Sequence, residues 1–155
     1  MFYILELSQI KIRGVDLVKS QKPNILWFCA DQMRFDTIAA LGNSHIRTPN
    51  IDKLIKNGVA LENCYVQNQL CTPSRASFLT GRYPAAHQVY RNGNAYFPDH
   101  EILVTKILAD AGYDCGLIGK LHLSSASKIE KRPDDGYRLF EWCQKVSIYH
   151  EFEWF

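Results

Sequence analysis

The segment around Cys71 combines a thiol with the signals of a helix start. Cys71 is followed by Thr72-Pro73-Ser74 and then by Arg75. Threonine and proline in this order are typical of a helix N-terminus, so Cys71 is expected just before the first turn. The unpaired N–H groups of such a turn attract an anion, and Arg75 adds a cation close to it. A reactive cysteine fits this pattern, and an ordinary buried cysteine before a capped helix fits it equally well.

A second segment with possible chemistry follows a predicted strand over residues 113–118. Gly119 ends this strand, and Lys120 and His122 come directly after it. An ammonium group and an imidazole placed together can bind the oxygen atoms of an anion and stabilise a leaving oxygen. The alternative is a pair of solvated loop side chains.

A carboxylate, Asp31, follows the largely apolar run over residues 24–30. Because this run is continuous and rich in β-formers, it predicts a strand buried on both faces, as in a parallel sheet. Open α/β sheets place their ligands at the carboxyl ends of strands, which makes Asp31 a candidate ligand. A cap or turn residue after the strand is the alternative.

The remaining pattern predicts the elements that position these residues. Apolar side chains at helical spacing alternate with short apolar runs, and this predicts an α/β fold with parallel strand pairs. The predicted elements are a strand over 24–30, a helix over 49–57 that opens with Thr48-Pro49, a strand over 59–66, a helix over 72–80, a loop over 82–100, a helix over 101–111 and a strand over 113–118. The helix over 101–111 is expected to turn inward Ile102, Leu103, Ile107, Leu108 and Ala111.

Composition and charge exclude several classes of protein. The chain has 155 residues, about one domain, and 46% of them are hydrophobic, which is too many for disorder. Its 18 basic and 16 acidic side chains nearly cancel, so no nucleic-acid partner is expected. The longest uninterrupted apolar run, residues 25–30, is too short to span a membrane, and no signal peptide is expected. The 5 cysteines are odd in number and lack CxxC spacing, so neither a disulfide framework nor a zinc ribbon is expected.

Two motifs resemble those of a known family. The sequence C-T-P-S-R at 71–75, followed by F-L-T-G-R at 78–82, resembles the signature of the type I sulfatases, which belong to the alkaline phosphatase-like superfamily. The run G-Y-D-C-G-L-I-G-K-L-H at 112–122 resembles the second sulfatase signature, with Cys115 where serine or threonine is usual. A third match runs from Pro23 to Gln32, continues with Arg34 and Asp36, and includes T-P-N-I-D-K-L at 48–54; it is similar to the family's opening strand and first helix.

The resemblance covers residues 22–142 and leaves a lead-in, 1–21, and a tail, 143–155, that match nothing. It implies part of an alkaline phosphatase-like, doubly wound and mostly parallel sheet with flanking helices. Such a sheet would be incomplete here, because sulfatases run to several hundred residues. The chain is therefore expected to be a fragment with little or no turnover of its own.

The resemblance also implies the cofactors and one partner. Cys71 would be converted to formylglycine by a sulfatase-maturating enzyme, and the hydrated aldehyde would attack a sulfate ester substrate. A divalent metal, most often calcium, would be held by Asp31, Gln32 and the residue at Cys71. Gln32 would either ligate the metal through its amide oxygen or only hydrogen-bond nearby. Calcium takes six to eight oxygen ligands, so further ligands would be needed.

Four other residues receive roles from the resemblance. Arg75 would orient the nucleophile and offset charge near it. Lys120 and His122 would bind sulfate oxygens and stabilise the leaving alcohol oxygen. Asn92 would contact the transferred group, although Asn92 before Gly93 is also a strong turn signal.

The other histidines, which match no motif, are expected at the surface: His45, His87, His100 and His150.

Three functions remain open at this point. The first is hydrolysis of sulfate esters by the parent enzyme, which Lys120 and His122 favour. The second is a phosphodiesterase or phosphonate monoester hydrolase of the same superfamily, which Gln32 and Asn92 favour. The third is a non-enzymatic remnant. As written the chain would be cytoplasmic, although the family is often exported.

Overall fold

The structure is a computed structural model that describes residues 2–5, 22–124 and 134–143. The chain divides into two compact units, Met1–Cys64 and Tyr65–Phe155. The fold is α/β, and its described strands form an antiparallel pair and a parallel pair. The elements are β1 (Phe2–Leu5), β2 (Leu26–Cys29), α1 (Pro49–Asn57), α2 (Cys71–Thr80), α3 (Pro84–His87), α4 (Val104–Asp110), β3 (Cys115–Gly119) and β4 (Tyr137–Trp142).

The strand predicted over residues 24–30 is β2, but its surroundings differ from the prediction. It pairs antiparallel with β1, and Phe2 lies opposite Cys29. Leu26 and Phe28 are 61% and 62% exposed, so the expected burial on both faces of a parallel sheet is wrong for the described residues. A continuous apolar run indicates that both faces of a strand can be buried. Whether they are buried depends on which other elements pack against the strand.

Helix α1 begins and ends where the sequence predicts, with Gly58 at its C-terminal cap. Thr48 precedes the helix but makes no side-chain bond to it as a cap. Its hydroxyl instead accepts the N–H of Ala39 at 2.9 Å and donates to Asp52 at 2.7 Å. These bonds tie α1 to a short 3-10 helix, Ala39–Leu41.

The strand predicted over residues 59–66 is wrong. All of this stretch is described, and it forms no strand. Val59, Leu61 and Tyr65 are exposed. Their β-branched and bulky apolar side chains favour a strand only where a partner strand accepts the backbone hydrogen bonds, and the described residues offer none here.

The core of the second unit lies among α2, α4 and the parallel pair of β3 with β4, which confirms the predicted parallel pairing. Strand β4 lies beyond the elements predicted from the sequence, because its apolar residues alternate irregularly with Arg138 and Glu141. An exposed ion pair between Arg138 and Asp114, 2.6 Å apart, joins the two strands and holds the pKa of Asp114 below its usual value. The buried apolar side chains of this core are Ala76, Val89, Phe97, Leu103, Leu121, Leu123 and Tyr137.

Helix α4 is shorter than the predicted helix over 101–111. Leu103 is its N-cap and is fully buried, as expected. The carboxylate of Glu101 is also buried and is bound by Arg82 at 2.8 Å. This tertiary ion pair lies in the extended stretch before the helix and outweighs the local helix propensity there. The predicted inward residues that are exposed instead are Ile102, Ile107 and Ala111.

A glycine lets the chain before β4 approach α4 closely. Gly136 has φ +80°, and a Cβ added to it would lie 2.5 Å from the carbonyl oxygen of Thr105 and 2.7 Å from Cα of Lys106. The hydroxyl of Thr105 also donates to the carbonyl of Asp135 at 2.7 Å. Because any side chain at position 136 would collide with backbone atoms, only glycine fits this approach.

Helix α2 begins at Cys71, one residue before the predicted helix, and ends at Thr80 as predicted. Gly81 follows with φ +67°, in the left-handed region that favours glycine at a helix end. The predicted loop over 82–100 contains the short helix α3. Within the described ranges, no helix is long and apolar enough to cross a membrane.

Candidate active site

Helix α2 places Cys71 at its first helical position, with Leu70 as the N-cap. Cys71 is half-buried and forms no disulfide. The helix is 10 residues long, so the positive end of its dipole and the N–H groups of its first turn lie beside this side chain. A group at position 71 is therefore placed where negative charge is stabilised.

Thr72, the next residue, joins two of the predicted site residues. Its backbone N–H donates to Oδ1 of Asn92 at 2.9 Å. Its hydroxyl lies 3.0 Å from Nε2 of His122. The side chain of Asn92 thus accepts one helix N–H while its backbone makes the turn before Gly93, and its contact with the transferred group stays a prediction.

The second signature segment meets the same face of α2 at Arg75. Nη1 of Arg75 donates to the carbonyl oxygen of Lys120 at 2.6 Å, and Arg75 is buried. Arg75 lies three residues after Thr72, so both side chains occupy one helix face. The structure therefore brings together four predicted residues at the start of α2: Cys71, Arg75, Asn92 and Lys120, with His122 held through Thr72.

Thr72 was predicted only as part of a helix start, and its contact with the ring of His122 was not predicted. The sequence signal that could have indicated this contact is the spacing of Thr72 from Arg75. A threonine three residues before a buried arginine on one helix face can share the arginine's partner segment. That partner, Lys120 to His122, directly follows β3 as predicted.

His87 is not at the surface, contrary to the prediction. It ends α3 and is fully buried. Its Nδ1 accepts the N–H of Val89 at 3.2 Å, and its Nε2 lies 3.0 Å from the hydroxyl of Ser77 in α2. The ring therefore fastens the chain after α2 to the helix that carries Cys71. No motif marked this histidine, because its burial depends on how α3 packs against α2.

A charged pair lies close to this ring. Arg82 donates to the buried carboxylate of Glu101 at 2.8 Å, and Nε2 of His100 lies 3.6 Å from the same carboxylate oxygen. Burial is the largest influence on His87 and lowers its pKa. The negative charge of Glu101 raises that pKa and the positive charge of Arg82 lowers it, so the pair partly cancels.

Asp31 and Gln32 belong to the first unit. Both are exposed, and they follow the carboxyl end of β2 as predicted. Gln32 has φ +53°, in the left-handed region. The described residues contain no cluster of three or more histidine, cysteine, aspartate or glutamate side chains that could hold a metal. The three side-chain oxygens of Asp31 and Gln32 fall short of the six to eight that calcium takes, so these two residues do not by themselves fit a calcium ion.

The family model described as Sulfatase matches residues 23–148. The human protein named steryl-sulfatase is 42% identical over 114 residues, which are 67% of this chain and 20% of the human protein. The ulvan-active sulfatase of Formosa agariphila is 30% identical over 131 residues, which are 84% of this chain and 25% of that protein. The chain thus spans a fifth to a quarter of the length of these curated relatives.

A solved structure shares the fold. The phosphonate monoester hydrolase of Agrobacterium radiobacter superposes with a TM-score of 0.61 and 26% sequence identity, covering 73% of this chain and 24% of that chain. Together with the parallel pair of β3 and β4, this likeness confirms the predicted fold class, part of an alkaline phosphatase-like α/β fold.

Proposed function

The chain belongs to the sulfatase family, and on that premise we propose that it carries the nucleophile end of a site that hydrolyses sulfate esters. The observation that supports this most is the meeting of the two signature segments at the first turn of α2. Arg75 binds the backbone at Lys120, and Thr72 binds the ring of His122. The anion-stabilising helix end, a cation and an imidazole are the groups that transfer of a sulfuryl group from an ester requires.

Each residue of this cluster has a separate task in the proposal. The first turn of α2 stabilises negative charge at position 71, because its N–H groups and dipole point there. Lys120 binds sulfate oxygens as a fixed positive charge. His122 transfers a proton to the leaving alcohol oxygen. Arg75 keeps the Lys120 segment against α2, and its predicted contact with the nucleophile remains part of the proposal.

Position 71 fits the proposed modification. Cys71 is half-buried, unlinked by disulfide and at a helix start, so its side chain can be reached during maturation. As formylglycine made by a maturating enzyme, residue 71 would supply a hydrated aldehyde, with one hydroxyl to attack sulfur and a second to release sulfate. An unmodified thiol lacks the second hydroxyl, which is why the modification belongs to the proposal.

Asp31 and Gln32 are proposed as two ligands of a divalent metal. Carboxylate and amide oxygens are suitable donors for calcium. Further oxygen ligands, from other residues or from water, would complete the coordination of the metal. Ligation by the residue at Cys71 stays a prediction.

Hydrolysis of phosphonate monoesters is the second candidate. It is supported by the likeness of the fold to the Agrobacterium radiobacter phosphonate monoester hydrolase. A sulfate monoester and a phosphonate monoester each carry one negative charge at neutral pH, so charge does not separate the two candidates, and the relative turnover of the two esters distinguishes them.

The first test concerns the modification and uses the chain as it is. We expect co-expression with a formylglycine-generating enzyme to replace the CH2SH group of Cys71 by an aldehyde, which mass spectrometry of the peptide carrying residue 71 detects. Cys64, which is exposed, is the matched control and should remain a thiol. An unmodified Cys71 under these conditions would contradict the proposal.

The second test concerns turnover. In an enzyme that joins this chain to the rest of a sulfatase catalytic domain, Cys71→Ala should abolish hydrolysis of an aryl sulfate, whereas Cys64→Ala should leave it unchanged. The same two variants are assayed on a phosphonate monoester. Retained sulfate hydrolysis in Cys71→Ala would overturn the assignment, and faster turnover of the phosphonate ester than of the sulfate ester would select the second candidate.

A further inference from the structure

The hydroxyl of Thr72 lies 3.0 Å from Nε2 of His122, and both residues are buried. We propose that this hydroxyl fixes the orientation of the His122 ring, so that Thr72 is a positioning residue of the site. Its effect on turnover rests on the proposed function, whereas its effect on the ring does not.

The chemistry of the two groups supports the proposal. A neutral imidazole has one N–H and one lone pair, and a hydrogen-bond partner on Nε2 limits the rotation of the ring whichever of the two groups Nε2 presents. A threonine hydroxyl can donate or accept, but in either case it fixes the ring from one side. Thr72 is 0% exposed, so water cannot replace the hydroxyl at this place.

The backbone at His122 has an unusual conformation and is held by a separate contact. His122 has φ +62°, in the left-handed region that a residue with a Cβ seldom adopts. Arg75 holds the chain two residues earlier, at the carbonyl of Lys120. That bond acts on the backbone at Lys120, whereas the Thr72 hydroxyl acts on the ring of His122, so the two contacts constrain different parts of the segment.

The hydroxyl can be removed without disturbing the other anchor of Thr72. The bond to Asn92 comes from the backbone N–H, which valine retains. Thr72→Val therefore removes only the bond to the ring and keeps the side-chain shape. Thr72→Ser keeps the hydroxyl. Thr80→Val is the matched control, because the Thr80 hydroxyl in the same helix donates to the carbonyl of Ala76.

The test is the spectrum of the His122 ring nitrogens in the 15N-labelled chain, recorded by long-range proton–nitrogen NMR. We expect changed shifts of the ring nitrogens in Thr72→Val, the parental spectrum in Thr72→Ser and no change in Thr80→Val. An unchanged ring spectrum in Thr72→Val would overturn the proposal. If Thr72→Val does not fold, Thr72→Ala and Thr72→Ser are compared, since they differ only in the hydroxyl.

Turnover gives an independent readout in the joined enzyme. Thr72→Val should lower kcat on the order of a hundredfold, the effect of a misplaced catalytic group, with little change in KM, and Thr72→Ser should restore it. A loss confined to KM would contradict positioning. Retained hydrolysis in Cys71→Ala overturns the proposed function alone, whereas an unchanged ring spectrum in Thr72→Val overturns the positioning role alone.

Discussion

The buried ring of His87 makes the stability of the chain depend on pH in a direction that follows from its hydrogen bonds. Nδ1 accepts the N–H of Val89, so the proton of the neutral ring lies on Nε2, facing the hydroxyl of Ser77. A second proton would have to enter at Nδ1, against the Val89 N–H and away from water. Burial accordingly lowers the pKa of His87 from its ordinary value of 6.5.

The charges around the ring do not reverse this direction. Glu101 raises the pKa of His87, and Arg82, which is bound to Glu101, lowers it. His100 also lies beside Glu101, at 3.6 Å, and competes for its negative charge when protonated. Burial remains the largest cause, so the folded chain resists protonation of His87 more than the unfolded chain does.

The magnitude follows from the linkage of proton binding to folding. As the pH falls below 6.5, the ordinary value of the pKa, the unfolded chain binds a proton at His87 and the folded chain does not. Stability is therefore full above that pH and is lost as the pH falls towards the lower pKa of the folded state. Between about pH 7.5 and about pH 5.5 the loss reaches at most about 1.4 kcal/mol. For a chain of this size that corresponds to a melting temperature lower by roughly 3–6 °C.

The assay compares unfolding at the two pH values by circular dichroism in the parent, His87→Gln and His45→Gln. His87→Gln should cost about 1–3 kcal/mol at the higher pH, because it disturbs buried hydrogen bonds, but should lose less stability on acidification than the parent. His45 is exposed, and its variant should keep the parental pH dependence. Equal losses on acidification in the parent and His87→Gln would refute the reasoning.

Two further predictions concern the backbone and the metal. Gly136→Ala should lower the free energy of unfolding by about 1–3 kcal/mol more than Gly81→Ala. Both glycines have positive φ, but only the Cβ added at Gly136 would collide with Thr105. Chemical denaturation measures the two losses, and equal losses would contradict this prediction. In an enzyme that joins this chain to the rest of a sulfatase catalytic domain, calcium at about a hundred times its dissociation constant should add about 2.7 kcal/mol of stability. Asp31→Ala should lose this gain. Glu62→Ala, at an exposed site, should keep it. Calorimetry with and without a chelator measures the effect, and an unchanged calcium response in Asp31→Ala would remove Asp31 from the metal site.

Local signals predicted the helices of this chain better than its strands. Pro49 with Gly58 marked the two ends of α1, and Gly81 marked the end of α2, because caps and left-handed glycines act within one turn. The stretch over 59–66 has strand composition without strand structure, and β4 is a strand that composition did not predict. A strand needs a partner for its backbone bonds, and the partner is chosen by packing.

The candidate site divides in the same way. The residue types at positions 71, 75, 120 and 122 are a property of the sequence, and their motifs predicted both the family and the place of Lys120 and His122 after a strand. Which atoms meet was decided by the tertiary structure. Thr72 reaches a ring 50 residues away, and Arg75 reaches a carbonyl 45 residues away. The burial of His87 likewise depends on the packing of α3 against α2. Helix ends and motifs depend on residues that are neighbours in the sequence. Contacts between residues 45 or 50 positions apart form only when α2 and the segment after β3 pack around a common core.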